Sequence, residues 1–318
     1  MKIAVAGEGA IGRSHLDAIA NIEDVDVAML VGGDPDATRS LAENRRIPTY
    51  TVNFEDALSD PAIEAMILCT PTPLHAAQAE AVLLKGKHCL VEIPMATSLA
   101  DSKSLSAAAA ASGRIAMVAH TRRFNRGHRW LHEQFACDEL HLQHLVVETF
   151  FFRRTNTNIH GEPRSWTDDL LWHHACHSID LFQYQTDHVA VGATALGGPV
   201  SKTLGIPMDL SIGLSAPNGA LLSLSLSFNN EGPGGSTFRY ICNEGTFIAR
   251  YDELTDGSGT SIDLTSTGPI GGTETQDREF FTAIVSGREP NSSVAQSMPA
   301  METLDRLQTM LRYSSKKS

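Results

Sequence analysis

The stretch KIAVAGEGAIGRSHLDAIA, residues 2–20, decides the fold of the first part of the chain. A short apolar run is followed by Gly7, Gly9 and Gly12 in G-x-G-x-x-G spacing, and a helical pattern begins at once. In this context the first glycine permits a tight turn, the second lets a pyrophosphate approach the backbone, and the third lets the helix pack closely on the strand. The stretch therefore predicts a dinucleotide site at a helix N-terminus.

Further strand-like runs alternate with helical patterns through residue 120, and they occupy residues 25–33, 62–72, 88–94 and 114–120. This alternation predicts a parallel sheet with helices on both faces, and ligands of such sheets bind at the carboxyl ends of the strands. We therefore predict a Rossmann domain over residues 1–120. Its expected cofactor contacts are Gly7, Gly9, Ala10, Ile11, Gly12, Gly33, Asp34, Arg39, Thr70, Pro71 and Glu92.

The end of the second predicted strand, LVGGDPDATRS at residues 30–40, bears on the form of the cofactor. An NAD site usually has an acidic residue there for the ribose 2′-hydroxyl. Gly32 and Gly33 instead leave room for a 2′-phosphate, which Arg39 would neutralise. NADP is the favoured cofactor, and NAD is the alternative if Asp34 turns back to the ribose.

Bulk composition limits the class of protein. The chain has 318 residues, is 42% hydrophobic and 19% charged, and carries a net charge of −12, which disfavours broad nucleic-acid binding. Five scattered cysteines form no C-x-x-C pair, which is typical of a reducing cytosol. The N-terminus has no signal-peptide layout and no apolar run is long enough to span a membrane, so a cytoplasmic protein without membrane contact is expected.

Residues 121–318 are predicted to form an α+β domain with a large, mostly antiparallel open sheet. Residues 144–154 are rich in β-branched and aromatic side chains, and residues 208–228 alternate apolar and polar on both sides of APNGA. Residues 238–252 resemble a second hairpin that turns at Asn243–Gly245. Two helices close the chain, and the last is expected to pack back on the first domain. The open sheet leads us to expect a homodimer or a higher homo-oligomer.

The stretch WHHACHSID, residues 172–180, contains the candidate acid–base groups. In an α-helix, His173 and His177 lie on one face about one turn apart, and Asp180 continues that face. A neutral imidazole suits proton abstraction near neutral pH. We therefore take His173, His177 and Asp180 as catalytic candidates, with either histidine as the base.

A metal site is the competing interpretation of the same histidines. Their spacing is that of H-E-x-x-H, but His174 stands in place of the glutamate. Asp180 or His160 would have to supply a third ligand. Because this ligand set is incomplete, we predict no metal.

The chain resembles the glucose–fructose oxidoreductase/inositol dehydrogenase family, through its glycine motif, CTPTPLH at 69–75, VEIP at 91–94 and the histidine segment. The resemblance implies a nicotinamide-dependent dehydrogenase and places His75 in the cofactor pocket. The family's E-K-P lysine is replaced here by Ile93. In its D-x-G-x-H motif, His177 matches the histidine, whereas His173 stands at the aspartate position.

FFFRRTNTN at 150–158 and the segment 164–186 resemble a narrower group within that family. Its members oxidise the cyclic hemiacetal of an aromatic ring-cleavage product with NADP. A sugar or polyol dehydrogenase of the same family remains the alternative. The implied substrate is a small dicarboxylate, and arginine binds carboxylates through paired hydrogen bonds. The candidate substrate-binding residues are Arg122, Arg123, Arg154, Asn156, Asn158, Arg164 and Trp166.

Overall fold

The computed structural model describes residues 1–157, 161–267 and 271–315. The chain divides into two compact units, of which the first holds mainly residues 1–119 and 273–298. The second holds mainly residues 120–157 and 163–272 and the chain from Pro299 onward. The prediction of a second domain running without interruption from residue 121 thus differs from the structure at 273–298, which groups with the first unit.

The first unit is built on a six-stranded sheet with the strand order β3-β2-β1-β4-β5-β6, in which every pairing is parallel. The strands are β1 (Lys2–Ala6), β2 (Asp26–Val31), β3 (Thr49–Thr51), β4 (Ala65–Leu68), β5 (His88–Val91) and β6 (Ala116–Val118). The residues of β4 are completely buried, as expected for a sheet covered on both faces. The predicted Rossmann sheet is confirmed; the short edge strand β3 was not predicted.

Helices connect these strands and bring their carboxyl ends to one edge of the sheet. They are α1 (Ala10–Ile19), α2 (Pro35–Arg45), α3 (Phe54–Ser59), α4 (His75–Leu84) and α5 (Leu99–Ser112). A late helix, α8 (Gly272–Ser286), belongs to this unit from Thr273 onward. The sheet order reverses beside β1, so the glycine turn after β1 lies at the switch point where such folds bind ligands.

The second unit contains a seven-stranded sheet in the order β13-β12-β11-β7-β10-β9-β8. The strands are β7 (Leu142–Phe150), β8 (Gly192–Gly197), β9 (Asp209–Ser215), β10 (Leu221–Ser227), β11 (Gly235–Cys242), β12 (Thr246–Arg250) and β13 (Glu253–Asp256). All neighbours are antiparallel except β7 and β10, which run parallel. The mostly antiparallel sheet is confirmed.

Both predicted hairpins are present in this sheet. On β10 the alternate residues Leu222, Leu224 and Leu226 are at most 2% exposed, whereas the serines between them face away from the core. Strands β11 and β12 join through the turn predicted at 243–245. The strands β8 and β13 were not predicted, because their short sequences lack a regular alternation of apolar residues.

The helices of the second unit are α6 (Arg126–Ala136), α7 (Cys176–Thr186) and α9 (Val294–Ser315), of which α9 joins this unit at Pro299. Directly before α7, Leu170–Ala175 form a π-helical turn. The prediction of a continuous α-helix through both histidines is therefore incomplete, since His173 lies in the π turn and His177 in α7. None of the described helices is long and apolar enough to cross a bilayer.

The glycine turn provides a test of the fold of the first unit. A Cβ atom at Gly12 would lie 1.8 Å from the carbonyl oxygen of Gly7, whereas one at Gly9 would meet nothing within 4 Å. Gly12→Ala should therefore destabilise the protein by about 1–3 kcal/mol, as overpacking does. Gly9→Ala should change the stability by no more than about 0.5 kcal/mol. Thermal unfolding measures both, and equal midpoints for the two variants would contradict the described helix–strand packing.

Candidate active site

The turn after β1 forms a cradle at the N-terminus of α1. Gly7 has a φ of +124°, and a Cβ there would lie 2.3 Å from the carbonyl oxygen of Cys69. Gly9 begins α1 without a side-chain cap, and the space beside it is open. The unpaired amides of the first turn, at Ala10 and Ile11, are available to an anion. The arrangement fits the pyrophosphate of a dinucleotide.

At the end of β2, the side chains of Asp34 and Arg39 are paired with protein groups and not left open for the cofactor. The Asp34 side chain accepts a hydrogen bond of 2.7 Å from the amide of Ala37 and so caps α2. Arg39 is paired with Asp36 on the surface. Instead, the Glu8 side chain reaches this strand end, where its Oε1 accepts hydrogen bonds from the amides of Gly33 (2.9 Å) and Asp34 (3.1 Å). Sequence reasoning missed Glu8, because the acidic residue was sought about 20 residues later.

The segments after β4 and β5 are tied together by His75. Its buried ring lies with Nδ1 2.9 Å from the carbonyl oxygen of Pro94 and Nε2 2.8 Å from that of Thr70. Pro71 precedes a short 3₁₀ turn at Thr72–Leu74. His75 therefore positions the loop that carries Thr70 and Pro71. This loop follows β4 at the edge of the sheet where the cofactor is expected.

A buried cluster behind Glu92 was not predicted. The Nδ1 atom of His15 lies 2.8 and 2.9 Å from the two carboxylate oxygens of Asp277, and its Nε2 lies 3.1 Å from Glu92 Oε1. His15 and Asp277 are completely buried. Although burial opposes a charge on His15, Asp277 and the nearby Cys69 hold the pKa of His15 well above 6.5. Because 262 positions separate His15 from Asp277, no local pattern marks the pair.

In the second unit, the histidine segment combines burial with positive charge. Burial, with the cation of Arg122 as the next largest cause, holds the pKa of His177 well below 6.5. Burial and the neighbouring His173 do the same for His174, whose ring contacts the rings of Phe151 and Phe228. His177 is thus neutral at neutral pH, and its Nδ1 has no hydrogen-bond partner among the described residues.

His173 has a more open environment than His177. Its side chain is 33% exposed, and its Nδ1 lies 3.9 Å from Oδ1 of Asp168. The ring of His173 stands edge-on to that of His174 at a centroid separation of 4.9 Å. His173 is therefore placed at the solvent side of the segment, whereas His177 lies deeper.

Asp180 is paired with side chains from outside the histidine segment. Its buried carboxylate accepts hydrogen bonds from Arg123 Nε (2.8 Å) and Nη2 (2.6 Å), and His120 Nδ1 lies 3.4 Å away. Although burial opposes ionisation, Arg123 and His120 lower the pKa of Asp180. In the described part of the chain Asp180 contacts neither His173 nor His177. It fixes Arg123, which also stacks over Tyr184. The predicted catalytic role of Asp180 and the predicted substrate-binding role of Arg123 stay predictions.

Arg122, the residue next to Arg123, takes no part in the ion pair with Asp180. Burial lowers the pKa of Arg122, and its guanidinium lies 5.5 Å from the ring centre of Phe238. It forms no hydrogen bond or ion pair with any residue that the structure describes. Arg122 is half-buried, and Asp252 acts on its charge without forming an ion pair with it. A partly buried cation of this kind is stabilised when a ligand supplies a carboxylate. Arg122 is therefore the strongest candidate for binding an anionic substrate.

The adjacent residues Arg153 and Arg154 follow β7, and Arg154 was expected to bind the substrate. Arg154, the residue favoured from the sequence, is exposed and hydrogen-bonds to backbone oxygens of Arg153 and Phe228. Arg153 is half-buried, donates to Asn156 Oδ1 (2.6 Å) and to the backbone of Asp168, and its charge acts on His174. Arg153, rather than Arg154, therefore lies on the histidine side of the strand end.

The remaining candidates organise the loop that precedes the π turn. The amide of Asn156 donates to the backbone oxygens of Arg164 and Trp166 and to Thr167 Oγ1. Arg164 lies over the Trp166 ring at 5.5 Å and pairs with Asp168 at 3.3 Å. Asn158 and His160 lie outside the described residues. Among the residues that are described, no group of three or more His, Cys, Asp or Glu side chains is arranged to hold a metal ion.

The chain combines a Rossmann sheet that carries a dinucleotide cradle with a second unit that carries a neutral histidine and a half-buried arginine. These features define a nicotinamide-dependent dehydrogenase acting on a CH–OH group. Residues 1–120 match the model of the oxidoreductase family with an NAD-binding Rossmann fold, and residues 126–268 match that of bacterial oxidoreductases, C-terminal. The chain belongs to the glucose–fructose oxidoreductase/inositol dehydrogenase family, as its sequence resemblance implied.

Known relatives agree with this assignment. The 4-carboxy-2-hydroxymuconate-6-semialdehyde dehydrogenase of Sphingobium sp. is 46% identical over 98% of this chain and 99% of its own length. The scyllo-inositol 2-dehydrogenase (NAD(+)) of Bacillus subtilis is 33% identical over only 39% of the chain and 37% of its own length. A levoglucosan dehydrogenase solved with NADH and levoglucosan has the same fold (TM-score 0.86, 19% identity, 100% of this chain and 98% of that chain).

The His15–Asp277 pair predicts a pH dependence of stability. Because the pKa of His15 is raised in the folded state, its stabilising contribution is complete below pH 6.5 and is lost as pH rises through the folded-state pKa. Asp277→Asn should cost about 3–5 kcal/mol at pH 6.5. The difference from the wild type should shrink at higher pH by up to about 1.4 kcal/mol per unit. Urea unfolding from pH 6.5 to 9 measures this.

The exposed Glu23→Gln in the same unit is the control and should show a small, pH-independent difference. A difference between the wild type and Asp277→Asn that stays constant over this range would contradict a protonated, buried His15.

Proposed function

We propose that the chain oxidises the cyclic hemiacetal of 4-carboxy-2-hydroxymuconate-6-semialdehyde to 2-pyrone-4,6-dicarboxylate, a step of protocatechuate 4,5-cleavage. The relative that is 46% identical over nearly the whole chain is named for this semialdehyde. The observation that carries the proposal is the combination of two groups in the second unit. Arg122 is half-buried and forms no hydrogen bond or ion pair among the described residues, and its charge acts on the neutral His177. This combination suits a substrate that is both a carboxylate and an alcohol.

The reaction breaks the C–H bond of the hemiacetal carbon and the O–H bond of its hydroxyl, and it forms the carbonyl of a lactone. A nicotinamide cofactor, when bound, would supply the acceptor for the hydride. The protein must accept the proton, and a general base within hydrogen-bond reach typically contributes about 10²–10⁴-fold to the rate. His177 is the proposed base, because it is neutral and its Nδ1 has no hydrogen-bond partner in the described part of the chain.

Substrate binding would strengthen that base. The Arg122 cation is one cause of the low pKa of His177. A substrate carboxylate bound to Arg122 offsets this charge, so the pKa of His177 rises when the substrate is in place. His173, which is partly exposed and lies near Asp168, is the proposed route of the proton to solvent.

The second carboxylate of the substrate is assigned to Arg153. Its hydrogen bonds go to neutral acceptors, namely backbone oxygens and the Asn156 amide, and burial lowers its pKa. Its planar, fixed guanidinium presents a donor geometry that matches a carboxylate. Two arginines of this kind favour a dicarboxylate over a neutral sugar. The side chain at the family's lysine position, Ile93, is apolar and 3% exposed, which also disfavours a sugar or polyol substrate.

NADP is the proposed cofactor and NAD the alternative acceptor. Gly33 carries no side chain at the end of β2, although the Glu8 carboxylate lies against its amide there, and the Arg39 guanidinium is 52% exposed. Its pair with Asp36 is a surface ion pair, which contributes at most about 1 kcal/mol and is readily exchanged for a phosphate. The cradle formed by Gly7, Gly9 and Gly12 holds the pyrophosphate of either form.

Turnover of the enzymatically generated hemiacetal, followed by the absorbance of the reduced nicotinamide, tests this function. His177→Ala should lower kcat by about 10²–10⁴-fold, because the proton acceptor is lost. His173→Ala should lower kcat less, since solvent replaces a relay. The exposed His188→Ala is the matched control and should leave kcat unchanged.

A chelator should have no effect on the wild-type rate. Loss of activity on chelation would replace the acid–base mechanism with a metal-dependent one. Oxidation of a polyol without oxidation of the hemiacetal would reject the substrate assignment and leave a sugar or polyol dehydrogenase.

A further inference from the structure

Glu8 occupies the second position of the glycine motif, yet its carboxylate acts at the end of another strand. Its Oε1 accepts hydrogen bonds from the amides of both Gly33 and Asp34, the last two of the three residues between β2 and α2. Its backbone oxygen accepts a hydrogen bond from Arg13 Nε at 3.1 Å, which fixes the backbone from which the side chain extends. The carboxylate is thus held at the end of β2 by the amides that follow β2, and its backbone is held by Arg13 of α1.

The end of β2 is where dehydrogenases of this fold distinguish their cofactors. In NAD enzymes an acidic side chain from the strand end accepts a hydrogen bond from the ribose, and in NADP enzymes a basic residue neutralises the 2′-phosphate. Here Asp34 is committed to capping Ala37, and Arg39 is paired with Asp36. The acidic group at the strand end is supplied by Glu8.

We propose that Glu8 determines the ratio of NAD to NADP binding, by acting from the glycine motif as the acidic residue that this fold normally places at the end of β2. The proposal rests on the use of a nicotinamide dinucleotide, but not on the identity of the substrate. The carboxylate accepts a hydrogen bond from a ribose hydroxyl of NAD. It repels the 2′-phosphate of NADP and competes with that phosphate for the amides of Gly33 and Asp34.

The magnitude of the effect follows from charge. A 2′-phosphate carries a charge between about −1.5 and −2 near neutral pH, as other phosphate monoesters do. A carboxylate at the same strand end repels this phosphate, weakly in water and more strongly where the solvent is partly excluded. Glu8 is only half-buried, so an intermediate effect is expected. NADP binding therefore occurs in spite of Glu8 and is strengthened when its charge is removed.

Glu8→Gln separates this role from a purely structural one. The amide oxygen of glutamine still accepts hydrogen bonds from the two backbone amides, so the loop keeps its support, but the negative charge is gone. Glu8→Ala removes both the charge and the hydrogen bonds. Glu43→Gln is the matched control, because this exposed residue lies near the other end of α2 and its loss changes the net charge by the same amount.

Isothermal titration calorimetry with NAD and NADP, without substrate, gives the two dissociation constants directly. Glu8→Gln should raise the ratio Kd(NAD)/Kd(NADP) at least tenfold above that of the wild type, and Glu43→Gln should leave it within twofold. The increase should diminish at high ionic strength, as expected for a partly exposed charge.

A ratio that stays within twofold of the wild type in both Glu8 variants would overturn the proposal and leave Glu8 as a support of the loop. A ratio that changes in Glu8→Ala but not in Glu8→Gln would also overturn it, because the effect would then come from the hydrogen bonds and not from the charge. Since no substrate is present, neither result depends on whether the hemiacetal is the natural substrate.

Discussion

The ion pair between Arg123 and Asp180 determines which charges of the second unit remain available to a ligand. Two hydrogen bonds, of 2.6 and 2.8 Å, hold these buried side chains together. Breaking such a pair leaves an uncompensated buried charge, at a cost of about 3–5 kcal/mol. Asp180 is therefore committed to Arg123, and the adjacent Arg122 forms no ion pair among the described residues. His177 is kept neutral mainly by its burial and next by the Arg122 cation, so the proposed anion site also acts on the proposed proton acceptor.

In the first unit, charged side chains also hold the ends of strands in place. The buried His15–Asp277 pair supports Glu92 at the carboxyl end of β5, and Glu8 supports the end of β2. In both places a side chain from the β1–α1 segment reaches the end of another strand, β5 for His15 and the adjacent β2 for Glu8. The segment that begins with the glycine turn therefore organises the cofactor edge through its side chains as well as through its backbone.

The parts of this structure that follow from local patterns could be predicted from the sequence. The glycine spacing and the alternation of strands and helices were sufficient for the Rossmann sheet, and the apolar alternation in 208–228 was sufficient for a hairpin. The π turn at Leu170–Ala175 could not be predicted, because one additional residue per turn leaves no clear periodicity in six residues. The partners of charged residues were also inaccessible: Asp180 binds Arg123, 57 positions away, and not the histidines of its own segment.

The proposed function depends above all on the binding of a substrate carboxylate by Arg122 in the second unit. Calorimetric titration of the product, 2-pyrone-4,6-dicarboxylate, into the wild type and Arg122→Leu measures this binding, with the exposed Arg239→Leu as the control. Truncating one partner of a buried, hydrogen-bonded charge pair typically costs about 2–5 kcal/mol. We expect the affinity of Arg122→Leu to fall at least about 30-fold, and that of Arg239→Leu to be unchanged. Equal affinities of the wild type and a folded Arg122→Leu would contradict the account.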